Sequence, residues 1–437
     1  MKKIYCILIS VLVMVVSVSC GNTANKKFVE SYEGPIIPLI VMEPVDGVEI
    51  KREISFDFTD YDYTKFGITN YDFVNDDFYA SAYRSVKVND KYVLHNVTDQ
   101  DMNMQVAYSF MGKLMTRTNV VPVLEMNGGN LEYDLVLGHT LVYEYDEISS
   151  LHNRECYEQL LSTGNYIEES INRINGTSEQ SQKVTVYKIE VSDNVQEDLR
   201  GSFQIQKGSN EANVYCYGVH TFSNANGIDT LEFDVSEGTE IYVVTDSADV
   251  QVDEILCYTT QNKTYLDWKE GIFDLEVYES TQEDVLLDMI EDYLEKGTVS
   301  ELGDLVSDQL FMKMAKQYLD SEGIVAIDGA FGTMMDEYRM CFQVVDITVP
   351  AGATVEFEAD FIKPASVVGV DKKPYDCYEL MSLPNANVEF LEETIKVVGA
   401  EDVVIAELTS GDKFENGSYE ITLDGDDFQI YIDEKTE

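Results

Sequence analysis

The chain has 437 residues, 81 acidic and 30 basic, for a formal net charge of −51. Such a surplus of carboxylates excludes nucleic acid as a partner, because phosphates need a basic footprint, and excludes lying flat on anionic lipid. A hydrophobic content of 44% and a charged content of 25% are those of a folded chain, long enough for two or three domains.

The N-terminus reads as an export signal. Lys2 and Lys3 form a basic start, Ile4 to Val16 an apolar run, and Ser17-Val18-Ser19 the small residues that a signal peptidase requires. The run is shorter than the about 20 residues that span a bilayer. Ser17-Val18-Ser19-Cys20 resembles a bacterial lipobox, with Ser17 where that pattern has Leu. The resemblance implies that Cys20 becomes an acylated N-terminus. Residues 1–19 are then the signal peptide, residues 20–35 a lipidated tether, and the cell membrane a partner. Beyond Cys6 and Cys20 the cysteines are Cys156, Cys216, Cys257, Cys341 and Cys377. No CxxC occurs, so neither a zinc nor a redox motif is present. Pairs such as Cys216–Cys257 could bridge strands in an exported protein; buried free thiols are the alternative.

In chain order, strand patterns begin near Ile36. Residues 48–59 place Ile50, Ile54, Phe56 and Phe58 on one face. Val86, Val88, Tyr92 and Leu94 alternate with polar residues, turn chemistry follows at 96–101, and Met104, Val106, Tyr108 and Phe110 alternate again. This predicts an antiparallel pair with one buried face. Asn127-Gly128-Gly129-Asn130 predicts a hairpin between 120–125 and 131–136. A helical insert is expected near 147–174, and strands from 184 to about 260.

Residues 281–320 change period from two to 3.6. Thr281 with Asp284, and Thr298 with Glu301, resemble capping boxes. Val285, Leu286, Met289, Ile290, Tyr293 and Leu294 make one stripe, and Leu302, Leu305, Val306, Leu310 and Met314 a second, with Gly297 between them. This predicts a helical hairpin packed on at least one neighbouring β region. Strands resume near 338. Val235 to Val243 and Val349 to Phe357 share one pattern, read as a Gly-turn hairpin. Strands at 419–423 and 428–432 flank Asp424-Gly425, a hairpin mark.

Chemistry-bearing residues are sparse. His95, His139, His152 and His220 are scattered, with no metal-ligand spacing, no GxSxG elbow and no Gly-rich phosphate loop. Hard oxygen ligands cluster at Asp57, Asp60 and Asp62, at Asn75, Asp76 and Asp77, and at Asp424, Asp426 and Asp427. Calcium is the cation they suit, although the EF-hand Gly and Glu are missing. Ten aromatics between Phe56 and Tyr83 suit either a sheet core or sugar stacking.

Val88 to Asp101 followed by Val106 to Phe110 resembles a unit of vault/inter-alpha-trypsin-like β-sandwich domains. With Tyr32-Glu33-Gly34-Pro35, Val184 to Tyr187 and Val349 to Gly352, the chain resembles a group of uncharacterised lipoproteins of Gram-positive anaerobes. The resemblance implies architecture and location, and no activity or functional residues.

The expected fold is mainly β with a helical insert: two or three Ig-like β-sandwich regions flanking a helical hairpin. The boundaries are 36–265 for a first β region, 266–337 for linker and hairpin, and 338–437 for a C-terminal sandwich. The expected function is a surface-anchored, extracytoplasmic binding or scaffold module facing an envelope protein or glycan. The alternatives are an envelope hydrolase acting on glycan or peptide, and a carbohydrate- or calcium-binding accessory protein.

Overall fold

The structure is a computed structural model. It describes residues 28–31, 33–59, 85–114, 121–140, 182–191, 199–207, 213–225, 228–236, 239–259, 265–266, 273–296, 303, 306, 311–312, 324–336, 339–370, 373–381, 390–399, 404–408, 418–423 and 428–433. The protein is mainly β, with two helices among the described residues.

The N-terminal strands are β1 (Phe28–Ser31), β2 (Ile40–Val41), β3 (Val48–Asp57), β4 (Ser85–Asn96), β5 (Met102–Gly112), β6 (Val123–Met126), β7 (Gly129–Asn130) and β8 (Asp134–Thr140). The middle segment carries β9 (Lys183–Val191), β10 (Leu199–Lys207), β11 (Val214–Tyr217), β12 (Thr221–Ala225), β13 (Ile228–Val235), β14 (Glu240–Thr245), β15 (Val250–Thr259), β16 (Tyr265–Leu266) and β17 (Phe273–Thr281). Helix α1 (Gln282–Lys296), β18 (Ile324–Ala326) and helix α2 (Ile327–Asp336) complete it. The C-terminal strands are β19 (Arg339–Val349), β20 (Thr354–Pro364), β21 (Ser366–Val370), β22 (Lys373–Leu380), β23 (Phe390–Val398), β24 (Val404–Leu408), β25 (Ser418–Thr422) and β26 (Phe428–Asp433).

The two ends of the chain build one set of sheets. Their orders are β25-β23-β3-β4-β20-β6-β7, β2-β5-β19-β8 and β1-β21-β22-β26-β24. The middle segment forms two sheets of its own, β17-β9-β14-β11-β18 and β12-β13-β10-β15-β16. It is thus inserted between β8 and β19, which are neighbours in one sheet. The strands that follow the expected boundary at 338 therefore share sheets with the N-terminal region, β19 with β5 and β20 with β4. Alternation along a strand shows which face is buried but not which strand lies beside it.

The seven-stranded sheet turns Ile50, Ile54, Val88, Tyr92, Phe357 and Val397 to a core that it shares with Val106, Tyr108, Val345, Tyr378 and Ile430 of the other two sheets. This corrects three expected pairings. β4 and β5 are not hydrogen-bonded to each other: β4 pairs with β3 and β20, and β5 with β2 and β19. β19 and β20 likewise lie in different sheets, as do β25 and β26. The turns at 97–101 and 350–353 are corners from one sheet into another, which bury an alternating face as well as a hairpin does. The corners at 97–101 and 350–353 grip each other: Gly352 N donates to Thr98 O at 3.0 Å, and buried Asn96 donates to Val349 O at 2.9 Å. The 235–243 echo has the same role, carrying the chain from β13 in one middle sheet to β14 in the other. The Asn127-Gly128 turn forms as expected, but the expected second strand, 131–136, is not the partner of β6. Both residues have positive φ, 51° and 77°, and β6 pairs with β7, although the chain then leaves for β8 in another sheet.

In the inserted segment, the sheet containing β11 and β14 is buried on both faces. Val214, Cys216, Ile241 and Val243 meet Phe203, Leu231 and Phe233 of the neighbouring sheet. Tyr215, Tyr217, Tyr242 and Val244 meet the helices. Burial on both sides explains why the β11 and β14 sequences do not alternate.

Helix α1 starts directly at the end of β17. Thr281 Oγ1 accepts from Asp284 N at 3.2 Å and donates to the Asp284 carboxylate at 2.6 Å, which caps the helix as predicted. Val285, Leu286, Met289 and Ile290 are buried as the stripe required, with Tyr293 and Leu294 packed beside them. Of the second expected helix, Leu302, Leu305, Leu310 and Met314 lie outside the described residues, as do Thr298, Glu301 and Gly297. Val306, Phe311 and Met312 are buried in the same core. The helix expected near 147–174 also lies outside the described residues. Helix α2 was not expected; Gly329 and Gly332 mask its pattern.

Ile290 is 1% exposed, whereas Glu291 is exposed on the opposite face. Ile290→Asp is expected to cost about 3–5 kcal/mol by burying an unpaired charge. Glu291→Ala should stay within about 0.5 kcal/mol of wild type. Urea unfolding of both variants checks the contrast.

Candidate functional site

Two cations occupy positions where the strand pattern calls for an apolar residue. The first is Arg52. Ile50, Arg52, Ile54 and Phe56 share the inward face of β3, and Arg52 is 1% exposed. A buried guanidinium needs counter-charges, and strand register delivers them. Arg52 stands opposite Tyr92 on β4 and beside Glu393 on β23. Its Nε and Nη2 donate to the two Asp90 oxygens at 2.8 Å each, and Nη1 donates to Glu393 Oε1 at 2.6 Å. Tyr92 and Tyr108 hydroxyls donate to Asp90 Oδ2 at 2.8 and 3.1 Å, and Leu39 N donates to the Tyr92 oxygen at 2.9 Å. Burial opposes the charge on Arg52, but Asp90 and Glu393 outweigh it and hold the guanidinium well above its ordinary range. Burial, with Asp90 adding to it, raises both tyrosines. Each guanidinium nitrogen and both tyrosine hydroxyls have a hydrogen-bond partner within one closed cluster, which is the arrangement of a structural knot.

The second is Lys363. Val355, Phe357, Ala359, Phe361 and Lys363 lie in one phase of β20, and Lys363 is 8% exposed. Its Nζ donates to the carbonyl of Glu33. It borders a recess lined by Glu33, Pro35, Ile36, Ser109, Phe110, Met111, Phe361 and Ile362, among others. Glu33-Gly34-Pro35, part of the motif behind the sequence resemblance, forms one wall. Gly34 has φ +75°, a conformation that strains any residue with a side chain, and it packs against the Met111 side chain. The segment is fixed further by Glu33 N to Ser366 Oγ at 3.0 Å, Ile36 N to Glu379 O at 2.8 Å and Met381 N to Ile36 O at 3.0 Å. Ser109 is 4% exposed, and its hydroxyl has no hydrogen-bond partner. Burial pulls the Lys363 amine down to about 8, while Glu33 and Glu379 favour its charged form.

The residues singled out from sequence are not gathered here. Cys20, Asp60, Asp62, Asn75, Asp76, Asp77, Asp424, Asp426 and Asp427 lie outside the described residues, as do His152 and the His139 side chain. Asp57 caps a local turn, accepting from Thr59 N at 2.8 Å. His95 pairs with Thr354 at 3.0 Å, and His220 with Asp234 at 2.9 Å, both at the surface. Among the described residues no group of three or more His, Cys, Asp or Glu is placed to hold a metal. Cys216 and Cys257 face one core as free thiols without a bond between them. Burial raises both, and raises Cys341 to about 12. Cys377 is buried, and Cys156 lies outside the described residues. Sequence reasoning missed Lys363 and Ser109, although Lys363 continues the apolar phase begun at Val355 and could have been found by that signal.

No protein-family model matches the chain, and a comparison with curated proteins finds no match. Among solved structures, the chain overlaps a "putative nutrient binding protein" of Legionella pneumophila with a TM-score of 0.33 and 7% identity, over 93% of this chain and 72% of that one. Overlap at that level leaves fold and function to be argued from the residues themselves.

Lys363 titrates near 8 when folded and at the ordinary 10.5 when unfolded. Between these values the unfolded chain holds more protons, so this group makes stability rise with pH from about 8 to 10.5, by on the order of 3 kcal/mol. Lys363→Met should remove that rise. Relative to wild type, the variant is expected to gain stability at pH 7 and to lose that advantage by pH 10.5 in urea unfolding.

Proposed function

We propose that the protein is an extracytoplasmic lipoprotein, anchored to the cell membrane through acylated Cys20, that serves as a non-enzymatic binding module of the cell envelope. On this reading the paired sheets are Ig-like sandwiches and the helices a packed spacer. The observation that carries the reading is the Lys363 recess. The C-terminal half of the expected tether, residues 20–35, is instead part of the folded body, with Phe28–Ser31 paired to β21 as β1; the recess follows directly on that strand and combines apolar walls with an amine and an unpartnered hydroxyl. Apolar walls with a few polar groups are the lining of a ligand pocket, here at a volume of about 30 Å³ that admits only a very small ligand. The segment behind it is clamped to Lys363, Ser366, Glu379 and Met381, so a pull on the tether meets ordered structure at once.

Cys20→Ala should release the protein from the membrane fraction into the soluble extracytoplasmic fraction. Mass analysis of wild type should find acyl chains on Cys20. A mature wild-type N-terminus without lipid contradicts the reading.

A further inference from the structure

Strand β17 lies at the edge of its sheet. It runs nine residues, Phe273–Thr281, and pairs with β9 in unbroken register. Among the described residues β9 is its one sheet neighbour, so its outer edge presents backbone N–H and C=O groups to which no described strand is paired. Such an edge is a template for another strand, and folded proteins blunt it with short length, lysine, proline or a bulge. β17 is long and has no lysine, proline or bulge. Its charges are Asp274, Glu276 and Glu279, all exposed and none in an ion pair among the described residues.

The two faces of the strand differ. Phe273, Leu275 and Val277 share one phase. Phe273 is buried between the two middle sheets, whereas Leu275 and Val277 are 38% and 53% exposed. Asp274 and Glu276 lie in the other phase, opposite Glu190 and Lys188 of β9. Like charges directly opposite, as Asp274 and Glu190 are, weaken an antiparallel pair. Lys188 pairs with Glu240 at 2.5 Å and reaches Glu190 at 4.0 Å, and it forms no ion pair with Asp274 or Glu276. Lys183, the other cation of β9, stands opposite Thr281 at the far end. Asp274 and Glu276 therefore stay uncompensated beside an open strand edge with apolar residues on its other face.

We propose that the outer edge of β17 binds an extended basic segment of another polypeptide, which joins the sheet as an added strand. Backbone hydrogen bonds to β17 hold it, and its side chains alternate between the faces. Lys or Arg side chains lie against Asp274 and Glu276, and the apolar side chains between them cover Leu275 and Val277. A second copy of this chain fits poorly, because β17 against β17 brings carboxylates to carboxylates in a protein of net charge −51. The surface belongs to the inserted segment and does not involve Lys363, so it goes beyond the recess and does not depend on it.

The test titrates the folded mature protein with two labelled peptides of one composition, acetyl-Lys-Val-Lys-Val-Lys-Val-Lys-amide and acetyl-Lys-Lys-Lys-Lys-Val-Val-Val-amide. At about 0.15 M salt, where attraction between distant charges is screened, the alternating peptide should bind at least about tenfold more tightly than the block peptide. It should also slow hydrogen exchange of backbone amides within 273–281. Asp274→Lys with Glu276→Lys, both at exposed positions, should weaken the alternating peptide at least about tenfold. The same variant should gain binding to acetyl-Glu-Val-Glu-Val-Glu-Val-Glu-amide, which an unfolded variant would not. Equal binding of the two lysine peptides, or unchanged exchange within 273–281, overturns the inference. A dimer seen by sedimentation and abolished by Val277→Lys would assign the edge to a second copy and overturn it too. Either result leaves the anchoring reading standing, since acylation of Cys20 is read independently.

Discussion

A guanidinium shut off from water has to find its counter-charges inside the protein, and Arg52 finds them on strands from both ends of the chain. Asp90 comes from β4, some 40 residues onward, and Glu393 from β23, 341 residues away. Desolvating three charged groups costs several kcal/mol for each, and their attraction returns that only when the geometry is complete. The cluster therefore adds little net stability but rejects alternatives strongly. Sliding β3 by one residue would bury Lys51 or Glu53 and expose Arg52. The register that satisfies Arg52 also sets β3 beside β23 and β4 beside β20, so the N- and C-terminal strands belong to one body.

With that body fixed, the inserted segment has little choice of place. It leaves after β8 and returns at β19, two strands that are hydrogen-bonded neighbours, so its ends are held close together. Its helices bury against its own sheet through Tyr217, Tyr242 and Val244, and against Leu114, Leu137 and Cys341 of the outer body. Leu114 N donating to Met335 O at 3.0 Å joins the two directly. Lys363, by contrast, sits where the fold gives up stability. Its burial disfavours the charged form and lowers its own pKa.

Local patterns were legible in the sequence, and partnerships were not. The alternation in β3, β4 and β20 and the capped start of α1 stand as read, whereas β5 is buried on both faces from Val106 to Ser109. The corners at 97–101 and 350–353 were read as hairpins because period two reports burial, and a strand facing another sheet is buried in the same way as one paired beside its neighbour. The β11 and β14 runs hid their two-sided burial for the related reason that nothing alternates. The polar residues that matter were visible as phase errors: Arg52, Asp90 and Lys363 each fall on the apolar beat of an alternating strand. No motif marks them, since their partners come from other elements, 38 residues apart for Arg52 and Asp90, 341 for Arg52 and Glu393 and 330 for Lys363 and Glu33.

The central claim is that Arg52 couples the two ends of the chain. A double-mutant cycle with Arg52→Met and Glu393→Leu, followed by equilibrium urea unfolding, tests it most directly. Arg52→Met alone should cost about 3–5 kcal/mol, because it leaves Asp90 and Glu393 buried without their cation. The two substitutions together should be less damaging than their sum by about 1–3 kcal/mol. Additivity within about 0.5 kcal/mol, or an Arg52→Met variant as stable as wild type, would contradict the account.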